Sequence, residues 1–320
     1  MIKRLTIVFA IFVLFLSIAA CSRAKTKTAN ATARGAAVRI KIVAAENFYG
    51  NIASQLGGDR VSVKSIITNP NSDPHEYEPS VADGMAIAKA DIVIKNGLQY
   101  DTWMNKMISA TSRPGRIVIT AGDIAPYRLP YNPHVWYGTD NVWAVAKAIT
   151  AALEKQDPAC KPLFEKNLAR FGVSMEPIRE KISKIRAGYA GTPAGLTETI
   201  FLYQTKPMGL HVLTPFGFEK AIAEGNDPSA ADVAEANRQV DKKEIRILIY
   251  NSQAATPITK HLLDAARARG IPVVPVSETM PPGDTYQSWM MAELQAVEGA
   301  LAAARRMRGG AEASCPKNAR

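Results

Sequence analysis

Two of the chain's four histidines follow a proline in loops built to hold a side chain still. His75 stands in Asn69-Pro70-Asn71-Ser72-Asp73-Pro74-His75-Glu76-Tyr77-Glu78-Pro79, where two prolines before it and one after stiffen an irregular segment. His134 repeats the arrangement in Asn132-Pro133-His134-Val135-Trp136-Tyr137. Imidazole is the commonest protein ligand for a transition-metal ion, and such a ligand works best when its orientation is fixed. Paired Pro-His loops therefore point to metal ligation. The other two histidines read differently: His211 lies at the start of a strand and His261 within a helix, and both are read as structural or surface residues.

The elements that must position these loops follow from period and punctuation. Apolar runs at 40–44, 61–67, 91–96 and 116–120 predict strands, and the segments 47–56, 80–90 and 100–112 between them predict helices. The second half repeats the scheme, with strands expected at 199–203, 245–251 and 271–276 and helices at 229–240, 256–269 and 286–307. This alternation predicts an α/β fold of two lobes, each a mainly parallel sheet flanked by helices. Between the halves, Leu163, Leu168, Phe171, Ile178, Ile182 and Ile185 recur at helical spacing. They predict one long helix over about 26 residues, or about 39 Å, which can cross from one lobe to the other. Pro177 is a candidate kink within it. A cleft between two such lobes, facing the carboxyl ends of the strands, is where folds of this kind bind ligands.

The N-terminus carries a separate message. Lys3 and Arg4 precede an apolar run over 5–16, followed by small residues. The run is too short to span a bilayer and reads as a secretion signal over 1–20. Ile18-Ala19-Ala20-Cys21 resembles the lipobox of bacterial lipoproteins. That resemblance implies cleavage before Cys21 and acylation of it, so that Cys21 is a lipid anchor and the protein sits at the periplasmic or cell-surface face of a membrane. Residues 21–38, rich in Ala, Thr, Lys and Arg, read as a flexible tether. Beyond it the expected organisation is an N-terminal lobe over 39–160, a linking helix over 161–187, a C-terminal lobe over 188–307 and a tail over 308–320. Loss of Lys3 and Arg4 takes the net charge from +10 to +8. The remaining basic residues are scattered, with no stripe interleaved with aromatics, which argues against nucleic-acid binding. Cys160 and Cys315 are not spaced as metal ligands, although an oxidising compartment permits them to pair.

The motif Asp73-Pro74-His75-Glu76-Tyr77-Glu78-Pro79, followed by Pro133-His134-Val135-Trp136, resembles the metal-specific solute-binding proteins of ABC importers, the zinc- and manganese-binding cluster. The likeness covers roughly residues 40–304. It implies two four-strand α/β lobes joined by one rigid long helix, a monomer, one metal ion in the cleft with two ligands from each lobe, and an ABC permease as partner. Carried onto this chain, it implies His75 and His134 as the N-lobe ligands. Glu198 stands where zinc-binding relatives have a histidine and manganese-type relatives a glutamate. Glu278, after the late strand ending in Pro275-Val276-Ser277, is the fourth, with Asp284 in the same loop as the reserve.

Two neutral imidazoles and two carboxylates balance the charge of a dication and offset the cost of taking it from water. Carboxylate oxygen suits manganese and is also accepted by zinc, which binds most such sites more tightly. The ion is therefore expected to be Mn²⁺ or Zn²⁺, with Fe²⁺ third. The His- and acid-rich loop frequent in zinc-scavenging relatives is missing, which leans toward manganese or iron. Trp136, Tyr137, Phe48 and Tyr250 are candidates to wall the cleft, and Asn251-Ser252-Gln253 to hydrogen-bond the ligands.

Competing functions fare less well. A zinc hydrolase needs an open coordination position and a general base, and neither a His-Glu-x-x-His helix nor a Gly-x-Ser-x-Gly elbow occurs. The chain is not expected to be an enzyme. A sugar or amino-acid binder would not need paired Pro-His loops. A lipoprotein adhesin is the remaining alternative, which sequence does not separate from transport.

Overall fold

The computed structural model describes residues 39–70, 74 and 77–313. His75, Cys21 and Cys315 lie outside the described residues, as do the expected secretion signal and tether. No helix among the described residues is long and apolar enough to cross a membrane.

The first lobe holds β1 (Ile40–Glu46), α1 (Asn47–Gly57), β2 (Val61–Ile67), α2 (Val81–Lys89), β3 (Ile92–Lys95), α3 (Thr102–Ala110), β4 (Ile117–Thr120), α4 (Ala121–Ile124) and α5 (Thr139–Gln156). The second holds β5 (Pro193–Leu196), α7 (Leu202–Met208), β6 (His211–Val212), α8 (Phe216–Ala223), α9 (Ala230–Asp241), β7 (Ile247–Asn251), α10 (Pro257–Ala268), β8 (Val273–Val276) and α11 (Tyr286–Ala313). Between them runs α6 (Lys161–Tyr189), 29 residues or about 44 Å.

Both sheets are parallel and share one topology, β2-β1-β3-β4 in the first and β6-β5-β7-β8 in the second. The strand order reverses beside β1 in one lobe and beside β5 in the other. Such a reversal leaves a crevice outside the carboxyl ends of the two central strands. Helices cover both faces, so six of the seven β1 residues are buried, which explains why this strand reads as a nearly continuous apolar run.

The long helix buries Phe164, Asn167, Phe171, Met175, Ile178, Ile182 and Ile185, an apolar stripe at three- and four-residue steps. Leu163, expected on that stripe, is instead exposed, and Phe164 takes its place one step along the helix. Pro177 lies within α6 without dividing it. The carbonyl that loses its donor belongs to Val173 on the exposed side, where water can replace it.

The main departure from the sequence reading lies in the second lobe. Residues 199–203 were expected as a strand, but the strand is Pro193–Leu196, and 199–208 form a 3₁₀ turn running into α7. Thr199, Ile200, Phe201 and Tyr203 have strand propensity, but tertiary packing overrides it: Ile200, Phe201 and Tyr203 are buried in the shared core. Short helices α7 and α8 were also not foreseen.

One apolar core runs through both lobes. It joins Ile42, Phe48 and Trp136 of the first to Leu196, Phe201, Ile249, Tyr286 and Trp289 of the second, with the α6 stripe between them. Phe48, Trp136 and Tyr137 are thus core residues, and Tyr250 is only half-buried. Polar bonds reinforce the seam. Asn47 exchanges two hydrogen bonds with the Met280 backbone, Tyr286 donates to the Trp136 carbonyl at 2.6 Å, and Tyr137 donates to the Ser277 carbonyl at 2.8 Å.

Candidate metal centre

Three buried side chains converge in the cleft. His134, Glu198 and Glu278 each offer one donor atom, and these atoms lie within 4.8 Å of one another. All three are at most 1% exposed. Each is delivered by a loop at a carboxyl edge of a sheet: Glu198 two residues beyond β5, Glu278 two residues beyond β8, and His134 in the loop that leads to α5. Two carboxylates this close in a water-poor setting repel one another, and an imidazole nitrogen beside them completes a donor set that a dication would neutralise. Their combined field is felt nearby. Burial first, then Glu293, Glu278 and Glu198, push the Tyr137 hydroxyl well above its ordinary pKa.

The surroundings orient each donor. Asn132 Oδ1 accepts from the backbone N–H of His134 at 3.0 Å and lies 2.9 Å from its Nδ1. That pairing assigns the proton to Nδ1 and turns Nε2 toward Glu278, whose Oε2 is 3.9 Å away. Asn132 Nδ2 in turn donates to the Thr199 carbonyl at 2.7 Å, tying the His134 loop to the residue after Glu198.

Glu278 is held from both lobes. Its Oε2 accepts from Tyr100 Oη at 2.9 Å and its Oε1 from Asn251 Nδ2 at 2.6 Å. Gln253 Oε1 accepts from the backbone N–H groups of Glu278 and Thr279 at 2.6 and 3.2 Å. Of the three residues foreseen as ligand supports, Asn251 and Gln253 thus contact Glu278, while Ser252 bonds the Val276 carbonyl instead.

Tyr100 reaches across because of an unusual turn. Gly97, Leu98 and Gln99 all have positive φ, at 78°, 54° and 67°. For Leu98 and Gln99 this conformation costs about 1–2 kcal/mol each, and such strain persists only where the surroundings enforce it. Here Asp101 does so, accepting from the Asn96 and Gly97 N–H groups at 2.6 and 2.8 Å. Asn96 also donates to the Pro133 carbonyl at 2.9 Å, linking this turn to the His134 loop.

Asp284, the reserve ligand, is outside this cluster; its carboxylate accepts from Ser288 Oγ at 2.8 Å at the start of α11. His211 and His261 are exposed. Cys160 is half-buried, and its candidate partner, Cys315, lies outside the described residues. Tyr100, Asn132 and Asp101 were not singled out from the sequence. Only Asn132 carried a local signal, as the first residue of Asn-Pro-His, where a short amide can bond the backbone two residues on.

Comparison with known proteins gives this arrangement a setting. The chain is 25% identical to the iron ABC transporter substrate-binding lipoprotein MtsA of Streptococcus pyogenes serotype M1, over 94% of this chain and 99% of that one. It is 27% identical to the manganese ABC transporter substrate-binding lipoprotein PsaA of Streptococcus mitis, over 57% of this chain and 60% of that one. Its fold matches the periplasmic zinc-binding protein TroA from Treponema pallidum with a TM-score of 0.68, at 21% identity, covering 82% of this chain and 99% of that one. The model of the family described as zinc-uptake complex component A, periplasmic (ZnuA), matches residues 42–300. With four-fifths of its length matched, the chain belongs to this family, the metal-specific substrate-binding proteins of ABC transporters.

Proposed function

We propose that this protein captures one first-row divalent cation, Mn²⁺ or Zn²⁺ with Fe²⁺ as a third choice, and hands it to the permease of an ABC importer. His134, Glu198 and Glu278 are the proposed ligands, with His75 from the loop after β2 as the fourth. In the same reading, residues 1–20 are removed, Cys21 carries the lipid, and 22–38 tether the binding unit outside the cytoplasm.

One observation supports this reading above the others: three buried donors, an imidazole and two carboxylates drawn from both lobes, face one point. An enclosed pair of carboxylates is costly to bury unless a cation joins it. Enclosure also argues against hydrolysis, which needs room for substrate and water at the metal. The relatives' printed names divide among iron, manganese and zinc, and the mixed nitrogen and oxygen set is compatible with each.

A thermal melt tests the proposal. One equivalent of Mn²⁺ or Zn²⁺ added to metal-free protein raises the melting temperature, because a ligand bound only by the folded state stabilises it by RT ln(1 + [L]/Kd). A melting curve unmoved by Mn²⁺, Fe²⁺ and Zn²⁺ alike would overturn it.

A further inference from the structure

Glu278 does not present its two oxygens equally. Oε2 faces His134 Nε2 at 3.9 Å and accepts from Tyr100 Oη at 2.9 Å, whereas Oε1 is turned to the amide of Asn251 at 2.6 Å. Asn251 is 2% exposed and its orientation is fixed at three atoms. Its Oδ1 accepts from the Gln253 N–H at 2.9 Å, its backbone N–H donates to Thr197 Oγ1 at 3.2 Å, and its Nδ2 is left to donate to the carboxylate. An amide flip would place two oxygens together and leave the Gln253 N–H unmatched. Gln253 meanwhile holds the Glu278 backbone, so the carboxylate cannot reorient by moving its own main chain.

We infer that Asn251 restricts Glu278 to donating one oxygen, and thereby sets the balance between zinc and manganese binding. The inference rests on the metal-capture reading above and deepens it. Both oxygens accept a hydrogen bond, and each keeps a lone pair, so the restriction is one of orientation: turning the carboxylate to bring Oε1 beside Oε2 at the ion stretches the buried, charge-assisted bond from Asn251. One-oxygen donation keeps the coordination number low. Zn²⁺ is satisfied by four ligands in tetrahedral array, whereas Mn²⁺ favours six, largely oxygen. The clamp therefore penalises manganese more than zinc. Tyr100 provides the contrast: it bonds Oε2, so removing its hydroxyl leaves Oε1 held.

The experiment compares the full chain with Asn251→Ala, Asn251→Ser and Tyr100→Phe. Zn²⁺ and Mn²⁺ affinities are measured separately by competition titration, and Co²⁺ serves as a visible-absorption probe of coordination number. Ser is included because a short hydroxyl can still serve the Gln253 N–H yet falls short of Glu278. In both Asn251 variants the ratio of affinities shifts about ten-fold toward Mn²⁺, the worth of one hydrogen bond to a charged group, and the Co²⁺ band weakens as ligands are added. In Tyr100→Phe the ratio stays within about two-fold of wild type. An unchanged ratio and spectrum in Asn251 variants that still bind metal would overturn the inference while leaving the capture function intact. Should neither Asn251 variant fold, the wild type decides: an intense four-coordinate Co²⁺ band supports the clamp, and a weak six-coordinate one overturns it. Failure of the wild type to bind any of the three ions refutes the parent reading instead.

Discussion

His134 Nε2 and Glu278 Oε2 face each other at 3.9 Å, each wholly buried and each carried by a different lobe. Neither is near the other in sequence, and nothing but the closed cleft brings them together. The adjacent Glu198 makes the arrangement one that a cation completes.

Truncating the donors should separate binding from folding. His134→Ala, His75→Ala and Glu198→Gln are each expected to weaken metal binding on the order of 100-fold or more, since loss of a mere supporting residue already costs about 10–100-fold. Glu198→Gln should at the same time leave the metal-free protein folded, because the amide keeps the volume and shape of the buried side chain. Calorimetric titration and metal-free melts read the two effects. Full affinity in any one variant removes that residue from the site.

Asn132 predicts a different signature. It pairs with His134 Nδ1 and bonds the Thr199 carbonyl in the opposite lobe. Asn132→Ala is expected to lower metal affinity about 10–100-fold and to let the imidazole proton distribute between its two nitrogens. Nitrogen NMR of His134 distinguishes this from a general loss of fold, which would disturb all histidines together.

Stability of the metal-free protein should depend on pH in a direction opposite to that of most carboxylates. Burial pushes Glu293 up to about 8, against the pull of its hydrogen bonds from Tyr137, Ser277 and Trp289. Burial, with the neighbouring Asp101, also holds Glu46 well above the ordinary range. A carboxyl raised in the folded state keeps its proton where the unfolded chain has lost it. Its contribution is complete below about pH 4.5 and is lost as pH rises through about 8, at about 1.4 kcal/mol for each unit of difference. Melting temperatures should therefore fall between pH 5 and pH 8, and Glu293→Gln should flatten the slope. A melting temperature that climbs over this interval would contradict the assignment.

Much of this molecule was legible in the sequence, and the gaps have physical causes. Strands β1, β3 and β7 read out because they are buried on both faces, leaving nearly unbroken apolar runs, whereas the edge strands β2, β4 and β8 carry exposed positions and showed through their β-branched residues. Pro193–Leu196 did not, because a four-residue strand opening with Pro and containing Gly195 has no such signal. The Pro-His loops drew attention to His134 directly. Glu198 and Glu278 were chosen from 29 acidic residues only through family resemblance. Asn251 and Gln253 were reachable as polar residues ending a buried strand. Tyr100 was not, since its role depends on three successive left-handed residues and a hydrogen bond to a residue 178 positions away.

The apolar core that passes unbroken from one sheet, through the α6 stripe, to the other has a thermodynamic consequence. Neither half can melt while the other stays intact, because each supplies part of the other's interior. Scanning calorimetry of the binding unit should show one cooperative endotherm, with van't Hoff and calorimetric enthalpies in agreement. The same continuity makes wide parting of the halves as costly as partial unfolding. The segments that carry His134 and Glu198 run into this same core through Trp136, Tyr137, Ile200 and Phe201, so opening the donor cluster is resisted by apolar packing as well as by hydrogen bonds.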